Sequence, residues 1–145
     1  MQIILRNYKD SDFQAVKQNI IDGGIFDPVR DTRENLRKKI KYDPESIIIA
    51  EKDGELVGNV FFFEDGWAAH LFRLVVREDY RGKGVAQMLM NEAERRLRDR
   101  GIKQQIMFVN EKSPRLIEHY KKQGYKAIGT YRFMRKVFNG ENYNS

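Results

Sequence analysis

Hydrophobic positions along the chain alternate between two rhythms, and the changes mark its elements. Residues 2–7 group Ile3, Ile4 and Leu5 and predict a short strand. Ser11 and Asp12 then open a helix with the apolar face Phe13, Val16, Ile20 and Ile21, ended by Gly23-Gly24. After a loop at 25–28, Asp31 or Thr32 starts a second helix through Leu36 and Ile40, which Asp43-Pro44 breaks. Two β-rich runs, 46–51 and 55–63, flank the hairpin turn Lys52-Asp53-Gly54, and Asp65-Gly66 leads into a strand from Trp67 to Val76.

The next helix has the strongest pattern, with Val85, Leu89, Ala93 and Leu97 at i+4 spacing, Ala86 and Met90 on the flank and Gly101 as its cap. Residues 102–109 read as a strand. Ser113-Pro114 opens a short helix through Leu116, Ile117 and Tyr120 to Gly124. Residues 125–128 and 131–138 read as two last strands joined by a very short turn at Gly129-Thr130. The order is βααβββαβαββ, a mixed α+β sheet, mostly antiparallel, with a parallel strand pair expected from the strand–helix–strand unit at 67–109. One domain is expected over 1–138, with 139–145 a frayed tail.

Composition changes this picture in three ways. With 145 residues, 41% hydrophobic, the chain is long enough to close a core. It contains no cysteine, which removes disulfides, thiolate metal sites and cysteine nucleophiles together; no metal is implied. No apolar run is long enough to span a bilayer, and Met-Gln-Ile-Ile-Leu-Arg lacks a signal-peptide layout, so a cytoplasmic protein without a membrane partner is expected. The net charge of +6 would suit nucleic acid or a polyanionic small molecule. Its spread over Lys38-Lys39, Arg95-Arg96, Lys121-Lys122 and Arg135-Lys136 argues for a solvated surface over a nucleic-acid footprint.

The candidate chemistry lies in Val75-Val76-Arg77-Glu78-Asp79-Tyr80-Arg81-Gly82-Lys83-Gly84-Val85-Ala86, where a strand runs through a glycine turn into a helix. Glycines let a phosphate approach the backbone, and a helix start aims free N–H groups at it. A Walker A loop is excluded because Lys83 precedes Gly84 and no Ser or Thr follows. The dinucleotide fingerprint fails because position 87 is Gln. The pattern R-x-x-G-x-[G/A] remains.

On these residues the chain resembles the GNAT superfamily of N-acetyltransferases. The cofactor loop matches at Arg81, Gly84 and Ala86, Leu74-Val75-Val76 matches the strand beside the pantetheine arm, and Tyr120-Lys121-Lys122-Gln123-Gly124-Tyr125 matches a helix-end motif. The resemblance implies acetyl-CoA as acyl donor and a primary amine as acceptor, joined by direct attack in a ternary complex. It implies cofactor contacts at Leu74, Val75, Val76, Arg81, Gly82, Lys83, Gly84, Val85 and Ala86, with Ser113 standing where many members carry Asn. Tyr120 takes the place of the family's general acid, although it also continues the apolar face of Leu116 and Ile117. The family fixes no base. Glu64, Asp65 and His70 are candidates by type and place, with a packing role the stronger reading for His70. Asp22, Asp27 and Asp31 read either as attractors of a cationic amine or as helix caps. Glu78 replaces a frequent Pro, and the short final turn suggests an open acceptor cleft. A homodimer paired through the last strands is a further expectation. Rival functions are a non-catalytic CoA-binding sensor or scaffold of the same fold and, behind it, a basic nucleic-acid-binding domain.

Overall fold

The computed structural model describes residues 2–138, and the expected tail at 139–145 lies outside them. The chain divides into two compact units, Met1–Met107 and the segment from Phe108 onward.

The first unit is built on a five-stranded sheet in the order β1-β2-β3-β4-β5. Its strands are β1 (Ile4–Asn7), β2 (Ile47–Lys52), β3 (Glu55–Glu64), β4 (Ala68–Val76) and β5 (Gln104–Ile106). The first four are antiparallel neighbours, and β4 and β5 run parallel, as the strand–helix–strand unit requires. Helices α1 (Phe13–Asp22) and α2 (Arg33–Tyr42) precede β2, and α3 (Val85–Asp99) connects β4 to β5.

Side-chain alternation along the strands assigns the helices to opposite faces. Phe13, Val16, Ile20 and Leu36 share a core with Ile47, Ile49 and Phe61. Gly58, three positions before Phe61, lies on the other face: a Cβ there would come within 3.1 Å of Leu89 Cδ1 and 3.4 Å of Val85 Cγ1. The missing side chain lets the first turns of α3 seat directly on β3. That contact fixes the start of α3 beside the end of β4. The helix buries Val85, Leu89, Ala93 and Leu97, the face its spacing predicts.

Two local expectations change, and a choice between two helix starts is decided. Asp12 does not cap α1 with its side chain. Its carboxylate instead accepts from Arg6 at 2.8 and 2.9 Å and from the Lys9 amide, and a 3₁₀ turn (Asp10–Asp12) forms the entry. Thr32 is the true cap of α2, its hydroxyl accepting from the Asn35 amide at 3.1 Å. The strand expected over 102–109 contracts to β5, three residues long.

The second unit contains α4 (Pro114–Lys122), with Pro at its start as expected. Residues 125–138 form no strand. A two-residue hairpin needs left-handed backbone in its turn, and Gly129 keeps φ outside that region. The Tyr131 ring also folds back, its Oη 3.1 Å from where a Gly129 Cβ would stand. Ile128, Tyr131, Phe133 and Met134 are consequently exposed. The strand-paired homodimer loses the strands it was to use. Among the described residues no helix is long and apolar enough to cross a membrane.

Candidate active site

The glycine turn occupies the junction between β4 and α3. A 3₁₀ turn (Glu78–Tyr80) follows Arg77, and Gly82 and Gly84 then take φ of +73° and +83°. A Cβ at either glycine would meet nothing within 4 Å, so both Cα atoms face open space. Gly84 is the N-cap of α3 and lends it no side-chain bond. The first α3 turn is anchored by the Met88 amide on the Gly84 carbonyl at 3.0 Å. Among the described residues no acceptor takes the N–H groups of Gly82, Lys83, Gly84, Val85 or Ala86. Consecutive unpaired donors at the positive end of a fifteen-residue helix form an anion cradle.

The side chains around this turn frame it. Arg81 Nε donates to the Val76 carbonyl at 3.0 Å, tying the end of β4 to the turn. The Lys83 ammonium lies 5.3 Å from the Tyr80 ring centre, with the Arg77 guanidinium at 5.0 Å. Val85 points into the core, and Ala86 is exposed. Of the acidic residues before Arg81, Asp79 is drawn to Arg77: it accepts from that guanidinium at 2.7 and 2.9 Å, which holds its carboxyl below the ordinary range.

Upstream, β4 carries a bulge. Gly58 pairs with Val76 and Asn59 with Val75, but Phe61 pairs with Phe72, so Arg73 and Leu74 together face Val60. Arg73 adopts φ +52°, unusual for a residue with a Cβ. A buried relay holds it there. Asn19 Nδ2 donates to Asn59 Oδ1 at 3.0 Å, and Asn59 Nδ2 donates to the Arg73 carbonyl at 2.8 Å. The Arg73 guanidinium grips Asp31 in a two-pronged pair at 3.0 and 3.1 Å, with Asp31 6% exposed. The β5 ladder stops at His70, so residues 71–76 of β4 extend past their last β5 partner. Val75 and Val76 are buried, while Leu74 is half-buried.

The candidate bases differ in their duties. Asp65 Oδ1 accepts from the amides of Trp67 and Ala68 at 3.2 and 3.0 Å, bonds that lower its pKa and use it to close the β3–β4 turn. Glu64 ends β3 opposite Ala69. His70 stacks on Phe63, ring centres 4.7 Å apart. Of the three acids near the first helices, Asp31 is taken by Arg73, Asp27 accepts from the amides of Val29 and Arg30, and Asp22 accepts from Gln18. They serve as loop and helix locks.

In the second unit, Tyr120 is half-buried on α4, edge-on to Tyr125 at 5.6 Å, and burial pushes its phenol up. Ser113 occupies the N-cap of α4 but makes no side-chain cap bond; its carbonyl accepts from the amides of Leu116 and Ile117, both at 3.1 Å.

The bulge relay was missed from sequence. Its signal was Asn59 itself, a polar residue inside the apolar run Leu56-Val57-Gly58-Asn59-Val60-Phe61-Phe62-Phe63.

The fold as a whole is similar to that of solved acetyltransferases. Ard1 from Thermoplasma volcanium matches with a TM-score of 0.79 at 19% identity, over 89% of this chain and 86% of that one. The PaiA N-acetyltransferase of Thermoplasma acidophilum, solved in complex with coenzyme A, matches at 0.76 and 21%, over 90% and 94%. These show the fold. The family model described as the acetyltransferase (GNAT) family matches residues 15–125. An acetyltransferase of Pectobacterium atrosepticum is 30% identical over 124 residues, covering 86% of this chain and 88% of that one. One from Yersinia pestis is 28% identical over 139 residues, covering 96% and 99%. The chain belongs to the GNAT family of acetyltransferases, and its class of activity is acyl transfer.

Proposed function

We propose that the protein moves an acetyl group from acetyl-CoA to a primary amine by direct attack within a ternary complex. The observation that carries this reading is the turn at 82–86, whose successive amides are unpaired and whose glycines leave space for a phosphate. The diphosphate of coenzyme A matches that cradle in charge, and Gly84, at a φ that disfavours any residue with a Cβ, puts no side chain into it.

Bound acetyl-CoA would supply an acetyl thioester. The chain's part is positioning and charge stabilisation. The amides of residues 82–86 hold the diphosphate, and Arg81 and Lys83 add positive charge at the rim. Leu74, Val75 and Val76 border the pantetheine arm. The bulge takes Leu74 out of register with β3, and in this reading backbone amides of Leu74–Val76 donate to the thioester carbonyl oxygen. With no cysteine in the chain, no acyl-cysteine step is available. The attacking amine must lose a proton, and Glu64 and His70 are the groups to receive it, directly or through water; Asp65 is occupied by its turn. Tyr120 gives the leaving sulfur its proton. Burial keeps that phenol protonated at neutral pH. Ser113 is the other residue of that segment assigned to the cofactor. The reading treats 1–138 as one domain and carries with it a cytoplasmic location.

A thiol-release assay with acetyl-CoA and a panel of small amines and peptides tests it. Amine-dependent release of coenzyme A is expected. Cofactor binding with no release for any amine would reduce the protein to a CoA-binding module.

A further inference from the structure

A cleft of about 540 Å³ opens in the first unit between α2, the end of β3 and the middle of β4. Phe63 and Phe72 form its apolar floor, edge-on with ring centres 5.6 Å apart. Lys39 enters from α2. Its ammonium donates to the Phe62 carbonyl and lies 5.1 Å from the centre of the Phe72 ring. Among the described residues no carboxylate forms a salt bridge with it, and Asp43 attracts it only through space. Burial lowers its pKa to about 8, so it still carries charge at neutral pH.

An unpaired, half-buried cation is costly, and a structural lysine ordinarily meets an acid. Two acids that line this cleft each spend their hydrogen bonds on an arginine. Asp31 is held by Arg73, and Asp43 accepts from Arg100 at 2.7 and 2.9 Å. A carbonyl satisfies one of the three ammonium N–H donors, which leaves capacity for an anion. Arg30 adds a second cation to the lining. Glu64 also lines the cleft without an ion pair among the described residues, so a ligand with one charge of each sign fits better than a dianion. The cleft adjoins the β4 bulge, because Phe72 precedes Arg73 and Asp31 is the residue that grips it.

We propose that this cleft receives the acyl acceptor, and that the acceptor is an amine bearing a carboxylate and an apolar side chain, in the manner of an amino acid. The carboxylate meets Lys39, and the apolar group lies on Phe63 and Phe72. The proposal rests on the acetyltransferase reading and narrows its acceptor.

Calorimetric titration with two matched probes tests it: N-acetylphenylalanine, the acid expected of such a reaction, and N-acetylphenylalaninamide, its neutral counterpart. Wild type should bind the acid ~10-fold more tightly than the amide, the size of one charge-assisted hydrogen bond. Lys39→Met should erase that preference by weakening the acid alone, and Lys39→Arg should keep most of it. Equal affinities in wild type, or a preference unchanged in Lys39→Met, would overturn the assignment. Acetyl-CoA titrated into the same samples reports their folding and separates the two levels. Cofactor binding without acid preference overturns the acceptor class alone, whereas loss of cofactor binding to wild type overturns the function beneath it.

Discussion

The glycine turn and the β4 bulge both place backbone in the left-handed region, and they do so by opposite means. In the turn the left-handed residues are Gly82 and Gly84, where a Cβ would meet nothing within 4 Å and the amides have no partners among the described residues. At Arg73 a full side chain is forced to φ +52° by a buried amide relay and a two-pronged ion pair. The turn therefore costs little to form and presents its donors outward. The bulge is over-determined from within, as strained backbone at a working site must be. One region is built to hold a ligand, the other to hold itself.

The largest expected effect comes from giving the turn a side chain. Gly84→Val adds a β-branched group at φ +83°, a backbone penalty of about 1–2 kcal/mol, and fills the cradle. Acetyl-CoA affinity measured by calorimetry should fall ~100-fold or more while the protein remains folded by thermal denaturation. Retained affinity would detach the turn from cofactor binding.

Asn59→Ala attacks the other region. It leaves the Asn19 amide and the Arg73 carbonyl without their partner, each an unsatisfied group costing about 1–3 kcal/mol. Stability in urea should drop by ~2–5 kcal/mol, and kcat should fall with the acetyl-CoA Kd nearly unchanged. Equal losses in kcat and cofactor affinity would mean that the two regions are one cooperative device.

Tyr120→Phe should lower kcat by ~100-fold without altering cofactor affinity, within the range for a lost general acid. The pH profile gives an independent check. Because burial raises the Tyr120 pKa above its ordinary value of about 10, the acid form persists through neutral and mildly alkaline pH. No fall in kcat from this group is expected below about pH 10; a descending limb near pH 8 that vanishes in Tyr120→Phe would contradict the raised value.

The smallest effect is expected at Lys83, which is exposed over Tyr80. Lys83→Ala should weaken acetyl-CoA binding only a few-fold, with most of that loss removed by added salt. A loss as large as that of Gly84→Val would show that side-chain charge, not main-chain amides, holds the diphosphate.

The two regions were also unequally visible in the sequence. The turn could be read because its chemistry is local: Gly82, Gly84 and the apolar face from Val85 lie in one short run. The helices and the sheet through β4 followed from periodicity for the same reason. The bulge could not be read, since Asn19, Asp31, Asn59 and Arg73 meet only in the folded chain. Asn59 is a polar residue inside an apolar run, and it is the group that shapes the strand. Asp65 illustrates the converse: a carboxylate in a suitable place is absorbed by a turn. Residues 125–138 have strand composition, yet strand propensity records fit to neighbours more than backbone preference, and here no ladder forms. Lys39 resembled part of a surface charge pair until the fold set it among Phe62 and Phe72.

The central claim is that main-chain amides of the turn bind the diphosphate, and amide-resolved NMR tests it most directly. On titration with coenzyme A, the N–H resonances of Gly82, Lys83, Gly84, Val85 and Ala86 should move downfield and exchange with solvent more slowly. Cofactor binding that leaves those five amides unchanged while shifting others would contradict the account.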